Sequence, residues 1–393
     1  MKWIAFFVAL VLLGPGAQAQ NAVQIDGRRF VGPDGRSLQL KGINLGNWLM
    51  PEGYMLKLER AKAPRQIYAA FDRLLGKERA AEFWRSFRDQ YVTAADLGLI
   101  RDCGFNLVRI PLHWALFMTA EGRFEGEGWA LLERVLGWAE DAGLHVIVDL
   151  HAAPGGQTGI NHDDGPGYPL MFYVPRHRDR TVALWREIAA RFRGRKALIG
   201  YDLLNEPIAP YHDVATLNPR LEPFYRRVTE AIREVDPGRI VFLGGGQWSS
   251  TLAMFGEPFA GNLAYTYHAF WASTRRDGIQ RYLNFSERWR VPLLLGESGE
   301  FTDAWNEGFR RLHETHGIGW VFWTYKNLDT ASTVISIPRP HDWSQIVAFA
   351  DGRGPRPPDA VVDRAIAQYL DGIQLANGRI QRSYLESLGL RLR

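Results

Sequence analysis

Eight short apolar segments of strand character, most of them separated by stretches of helical periodicity, predict an α/β chain folded as a (β/α)8 TIM barrel with long βα loops and a short N-terminal β-hairpin cap. Two observations carry this reading. Strand and helix patterns alternate along most of the chain, which implies a parallel sheet. Two apolar strands, Tyr201-Asp202-Leu203-Leu204-Asn205-Glu206-Pro207 and Val291-Pro292-Leu293-Leu294-Leu295-Gly296-Glu297, also end on a glutamate. A carboxylate just past an apolar strand is costly to hold without partners. Two of them point to a barrel mouth where functional groups converge. A doubly wound open sheet is the alternative.

The elements follow in order. Lys2 supplies a positive end, residues 3–13 are an unbroken apolar run, Gly14-Pro15 breaks it, and Ala17-Gln18-Ala19 offers a small-x-small cleavage site. The run is shorter than the ~20 apolar residues a membrane span needs. A signal peptide over residues 1–19, cleaved after Ala19, is expected, followed by one catalytic domain over residues 20–393. A retained anchor is the alternative, and no later stretch is apolar enough to cross a bilayer.

Residues 25–40, with turns at Asp26-Gly27 and Pro33-Asp34-Gly35, read as short strands capping one end. Residues 40–45 form the first barrel strand. Strands at 105–110, 144–150 and 198–204 follow helices at 93–103, 129–142 and 180–193. Strands at 239–243, 263–268, 291–295 and 319–323 complete the eight, with helical periodicity at 224–235 and 304–315. Gly104 and Gly143 fit helix C-terminal caps that feed the next strand. The connections 46–91, 151–179 and 325–358 are long, and long βα loops belong at the face where barrel active sites sit. Residues 368–393 read as the final barrel helix and a short helical tail.

Composition narrows the partners. The 393 residues are 46% apolar and 23% charged, which suits a large folded core. The net charge is only +4 and no Lys/Arg run concentrates it, so there is no nucleic-acid footprint. The single cysteine, Cys103, reads as an inert core thiol. A monomer is expected.

Functional candidates fall at the C-terminal ends of six strands: Arg109, His151, Asn205 with Glu206, His268, Glu297 and Trp323. Each alone has a bland reading, as an ion-pair partner, a core histidine or a packing tryptophan. Chance seldom places polar groups at one end of so many strands. Cleavage of a glycosidic bond needs one protonated carboxyl for the leaving oxygen and one carboxylate to attack or to activate water. Their environments must push the two pKa values apart. Arg109 beside Glu297 would hold that group charged, while Glu206, with fewer cationic neighbours, would keep its proton. Asn205 can donate to a sugar 2-hydroxyl, and Trp323 offers a flat floor for a pyranose ring.

This ordered set resembles glycoside hydrolase family 5, the cellulase-like retaining β-glycosidases of clan A, from about residue 39 to residue 323. The resemblance implies that Glu206 is the acid/base and Glu297 the nucleophile. It makes Arg109, His151, Asn205, His268 and Trp323 substrate-binding or supporting residues. Two segments, Asn44-Leu45-Gly46-Asn47-Trp48-Leu49-Met50-Pro51-Glu52 and Asp149-Leu150-His151-Ala152-Ala153-Pro154-Gly155-Gly156-Gln157, are similar to the exo-β-1,3-glucanase branch. That likeness implies that Glu52 holds hydroxyls of a terminal sugar. A β-linked oligo- or polysaccharide is the expected partner, the two-glutamate mechanism requires no cofactor or metal, and the leader segment implies a secreted or periplasmic location. One departure stands out: the family usually has a tyrosine bonding to the nucleophile where this chain has Phe270. A sugar-binding barrel with weakened catalysis, or a transglycosylase, uses the same scaffold.

Weaker signals remain. Asn161-His162-Asp163-Asp164 reads as a solvated or substrate-lining loop rather than a metal cluster. Gly244-Gly245-Gly246 lacks the Lys-Ser/Thr of a phosphate loop. His113, Trp114, Trp248 and Trp271 follow strands and are candidates for sugar subsites or for packing.

Overall fold

A computed structural model describes residues 23–392. The expected leader and its cleavage after Ala19 lie outside the described residues. Strands β1 (Gln24–Asp26) and β2 (Arg29–Val31) pair antiparallel into a hairpin. The next eight are β3 (Lys41–Asn44), β4 (Leu107–His113), β5 (His145–Ala152), β6 (Leu198–Asp202), β7 (Ile240–Gly244), β8 (Leu263–His268), β9 (Leu293–Glu297) and β10 (Gly319–Phe322). They form a closed, all-parallel barrel in chain order, with β10 returning to β3. Helices cover the outside, so both faces of each strand are buried and the strands read as apolar runs.

The hairpin closes one end of the barrel. Val23 and Phe30 pack with Leu107, Ile147, Phe242 and Val321, and the Phe30 and Phe242 ring centroids are 5.9 Å apart. Leu107 and Arg109 alternate onto one face of β4, so the apolar plug lies below and the polar groups above it on the same side. The larger hydrophobic core fills the space between barrel and helices. Cys103 belongs to it; burial, with Asp102 nearby, pushes its thiol up to about 11, which makes it inert.

The strand ends are irregular where function gathers. Between β8 and β9 the register shifts, so Tyr267 faces Leu295 but His268 faces Glu297. That bulge brings His268 level with Glu297 and leaves Gly296 between them. A Cβ on Gly296 would stand 2.4 Å from Thr266 Oγ1 and 3.0 Å from His268 Nε2, so only glycine fits.

Three elements depart from expectation. The helix Val214–Arg233 starts well before residue 224, capped by Asp213 Oδ1 on Thr216 N–H at 3.1 Å. It runs through Pro219 and Pro223 because Leu217, Leu221, Phe224, Tyr225 and Val228 keep one face buried. The last barrel helix is Asp359–Gly372, set by buried Val362, Ala365 and Tyr369, and the tail helix is Arg382–Ser387. A small sheet of β11 (Lys326–Leu328), β12 (Ile335–Ile337) and β13 (Arg379–Ile380) joins the last long loop to the tail. Strands this short carry too few alternations to be read from sequence. Among the described residues no helix is long and apolar enough to cross a membrane.

Candidate active site

Arg109 is the anchor of the site. It is fully buried on β4, donates four hydrogen bonds and makes one further ion contact. Its Nε reaches Asp202 Oδ2 at 3.0 Å, and Nη1 reaches Asn44 Oδ1 at 3.0 Å and Glu297 Oε1 at 2.6 Å. Nη2 meets Asn205 Oδ1 and Asp149 Oδ1, both at 3.0 Å. These contacts engage all three guanidinium nitrogens. One positive charge therefore faces three carboxyls. Burial pushes Asp149 and Asp202 up to about 7, and Arg109 only partly offsets this. Arg109 does not line the cavity above; it supports those groups that do.

His151 Nδ1 lies 2.8 Å from Asp149 Oδ2, and its Nε2 lies 3.2 Å from Asn205 Nδ2. The bonds fit one tautomer, with Nδ1–H donating to the carboxylate and Nε2 accepting from the amide. Burial drops this imidazole to about 3, so it stays neutral. Asn205 keeps one amide N–H for another acceptor.

Glu206 sits on a strained turn, with φ of +46° there and +58° at Ile208. The neighbouring loop holds the turn: Gln157 Nε2 donates to the Asn205 carbonyl at 2.8 Å, and Thr158 Oγ1 to the Glu206 carbonyl at 2.7 Å. His268 Nδ1 bridges the two glutamates, 2.9 Å from Glu206 Oε1 and 3.6 Å from Glu297 Oε2. Burial keeps His268 neutral as well, at about 4. Glu206, His268 and Glu297 each bring a polar atom within 4.8 Å of the others. These atoms are the ones a metal would use, yet His268 and Glu206 already bond each other.

The two glutamates differ in surroundings. Burial raises both; His268, Arg109 and His151 oppose it at Glu297, His162 and Arg109 at Glu206. Of the two, only Glu297 touches a permanent cation, which favours its ionised form over that of Glu206.

A cavity of about 500 Å³ opens above the pair. Glu52, Tyr54, Glu300 and Trp323 line one part of it, following β3, β9 and β10. Burial, then Glu297, Glu300 and Glu206, raises Glu52 well above the usual carboxylate range. The Trp323 Nε1–H donates to Tyr54 Oη at 2.6 Å, and its ring lies 5.7 Å from that of His151. Ile160, His162, Trp248, Phe270 and Trp271 line another part, after β5, β7 and β8.

The structure thus brings Glu52, His151, Asn205, Glu206, His268, Glu297 and Trp323 to one cavity. Phe270 lies there without a hydroxyl, and neither Tyr265 nor Tyr267 supplies one. Tyr267 Oη bonds His313 Nε2 at 2.7 Å, and Tyr265 packs on Phe255 and Phe285, both away from the site as strand alternation requires. Trp248 and Trp271 line the cavity, whereas His113 contacts Asp164 at 3.3 Å and Trp114 packs against the core. Asp163 turns inward onto the Thr158, Gly159 and Gly165 N–H groups, so it shapes the loop. Sequence reasoning singled out none of Asp149, Asp202, Tyr54 and Glu300; His162, expected in a solvated or substrate-lining loop, does line the cavity. The two aspartates had a signal, since each interrupts an apolar strand and needs a partner.

Residues 76–329 match the model of the cellulase family, glycosyl hydrolase family 5. The chain belongs to this family. A β-xylosidase of Phanerodontia chrysosporium is 28% identical over 345 residues, 78% of this chain and 71% of that protein. A probable glucan 1,3-β-glucosidase A of Aspergillus fumigatus is also 28% identical, over 53% of this chain and only 50% of its own length. The rutinosidase structure from Aspergillus niger superposes with a TM-score of 0.60 at 18% identity, covering 75% of this chain and 92% of that one, which shows the shared fold. The family 5 chain is accordingly a barrel glycoside hydrolase.

Proposed function

We propose that this family 5 enzyme is an exported, retaining β-glycosidase of a β-glucan or related β-linked saccharide, with Glu297 as nucleophile and Glu206 as acid/base. The Glu297 carboxylate attacks the anomeric carbon as the bond to the leaving oxygen breaks. Glu206 gives its proton to that oxygen. Glu206, now a carboxylate, then takes a proton from water, whose oxygen displaces Glu297 and frees the sugar. One observation carries this reading: polar atoms of the two glutamates lie within 4.8 Å, and only Glu297 is paired with Arg109. Inverting pairs stand roughly 6.5–9.5 Å apart to leave room for a water.

Glu52 and Glu300 at one side of the cavity fit the hydroxyls of a terminal sugar, which favours exo action on short β-linked chains. The β-xylosidase and glucan 1,3-β-glucosidase names of the relatives support an exo-type pentoside or hexoside substrate. The working form is proposed as a monomer of one catalytic domain, processed after Ala19. A linkage-defined oligosaccharide panel with product sizes recorded tests specificity. On the best substrate, Glu206→Gln and Glu297→Gln each lower kcat by about 10²-fold or more. Turnover by either variant at the parent rate would remove the assignment.

A further inference from the structure

Every exposed large apolar side chain among the described residues lies on a segment that follows a barrel strand, on the face where the cavity opens. The long outer helices and the hairpin end carry none. Single scattered exposures need no explanation, but exposed apolar groups gathered on one face mark an interaction site. Three of these rings, with one histidine between two of them, form a connected row that starts in the cavity and leaves it. Trp248, 37% exposed, lines the cavity after β7. Its ring centroid is 6.1 Å from that of Tyr211, 62% exposed, on the loop after β6. Tyr211 lies 4.8 Å from the His212 ring, and His212 lies 6.2 Å from Tyr168, 64% exposed, on the loop after β5. Neither tyrosine lines the cavity itself.

The backbone holds these rings out. Gln247, Trp248 and Ser249 take φ of +52°, +60° and +55°, a left-handed run that residues with a Cβ adopt only where the surroundings enforce it. Gln247 Nε2 donates to Asn218 Oδ1 at 2.9 Å on the helix Val214–Arg233, and Ser249 is buried. The Tyr211 loop is tied to its neighbour. The Ile208 N–H donates to the Gln157 carbonyl at 3.0 Å, and the Ala209 N–H to the Thr158 carbonyl at 3.2 Å. The Tyr211 and Trp248 planes cross at 73°, and an edge contact covers at most one face of either ring. The hydroxyls of Tyr168 and Tyr211 have no hydrogen-bond partner among the described residues. Rigid rings with a free hydroxyl match a pyranose, whose C–H face is apolar and whose rim carries hydroxyls.

The row leaves on the side of Glu206. Glu206 and Tyr211 share the loop after β6, whereas Glu52, Tyr54, Glu300 and Trp323 line the other part of the cavity. The acid protonates the leaving oxygen, so the departing part of the substrate extends past Glu206. We propose that Trp248, Tyr211 and Tyr168 form a binding track for the departing, reducing-end portion of a β-linked oligosaccharide, so that the enzyme prefers chains longer than a disaccharide. The track rests on Glu206 being the acid/base. An alkyl or aryl leaving group would gain nothing from two free hydroxyls beyond the cavity.

The test is kcat/KM along a ladder from disaccharide to hexasaccharide, in the linkage the enzyme cleaves best, with a dodecyl β-glycoside of the same sugar alongside. For the parent, kcat/KM rises about tenfold or more along the ladder, and Tyr211→Ala and Tyr168→Ala each lower the hexasaccharide-to-disaccharide ratio about threefold to tenfold. That ratio is independent of how much of a variant folds. Tyr211→Phe keeps most of it, because the ring remains. A ladder that is flat in the parent, ratios unchanged in both alanine variants, or a loss confined to the dodecyl glycoside overturns the track. Full activity of Glu206→Gln would instead overturn the acid/base assignment itself.

Discussion

At the residue scale the site is a problem of unequal charge. Arg109 brings one positive charge to Asp149, Asp202 and Glu297, all buried. Its shortest contact, 2.6 Å, goes to Glu297, so that group has first claim on the charge. Asp149 and Asp202, pushed up to about 7, share what is left and hold protons well above the usual aspartate range. A carboxyl whose folded pKa is raised stabilises the fold fully below its unfolded pKa. It loses that contribution as pH rises through the folded value. Asp202→Asn has no proton to lose, so it gains stability relative to the parent between about pH 5 and about pH 8. Thermal melts of both proteins at the two pH values read this directly. A gap that is constant, or that moves against the variant as pH rises, would mean Asp202 is ionised throughout.

At the element scale, the two ends of the barrel have separate duties. The β1–β2 hairpin plugs one end with Phe30, which is 3% exposed and packs on Phe242. The β8–β9 register shift and the strained turn at Glu206 belong to the other end. A substitution in the plug should therefore act on stability and not on chemistry. Phe30→Ala costs about 3–5 kcal/mol by denaturant titration, with kcat/KM of the folded enzyme unchanged. A matching loss of kcat/KM under conditions where the variant is fully folded would show that the plug also sets the geometry of the mouth.

At the scale of the whole molecule, the barrel was legible because each strand is buried on both faces and reads as an apolar run between helical repeats. All eight barrel strands were anticipated, with ends displaced by a few residues. The convergence of the two glutamates with their polar neighbours was legible because a charged group at the end of such a run is conspicuous. What escaped depends on contacts between distant segments. The β11–β13 sheet pairs residues 335–336 with 379–380, and nothing local announces it. The place of His162 within its polar loop is set by Asp163 and Arg65. Asp149 and Asp202 were visible as anomalies, but their common partner Arg109 appears only once β4, β5 and β6 are side by side.

All of these scales meet in the proposed division of labour between Glu206 and Glu297, which a covalent trap reads most directly. Incubation with the 2-deoxy-2-fluoro glycosyl fluoride of the sugar it hydrolyses, followed by digestion and peptide mass analysis, should add one fluoroglycosyl unit to the peptide carrying Glu297 and none to that carrying Glu206. Label on Glu206, or an unlabelled enzyme that still turns the reagent over with inverted configuration, would contradict it.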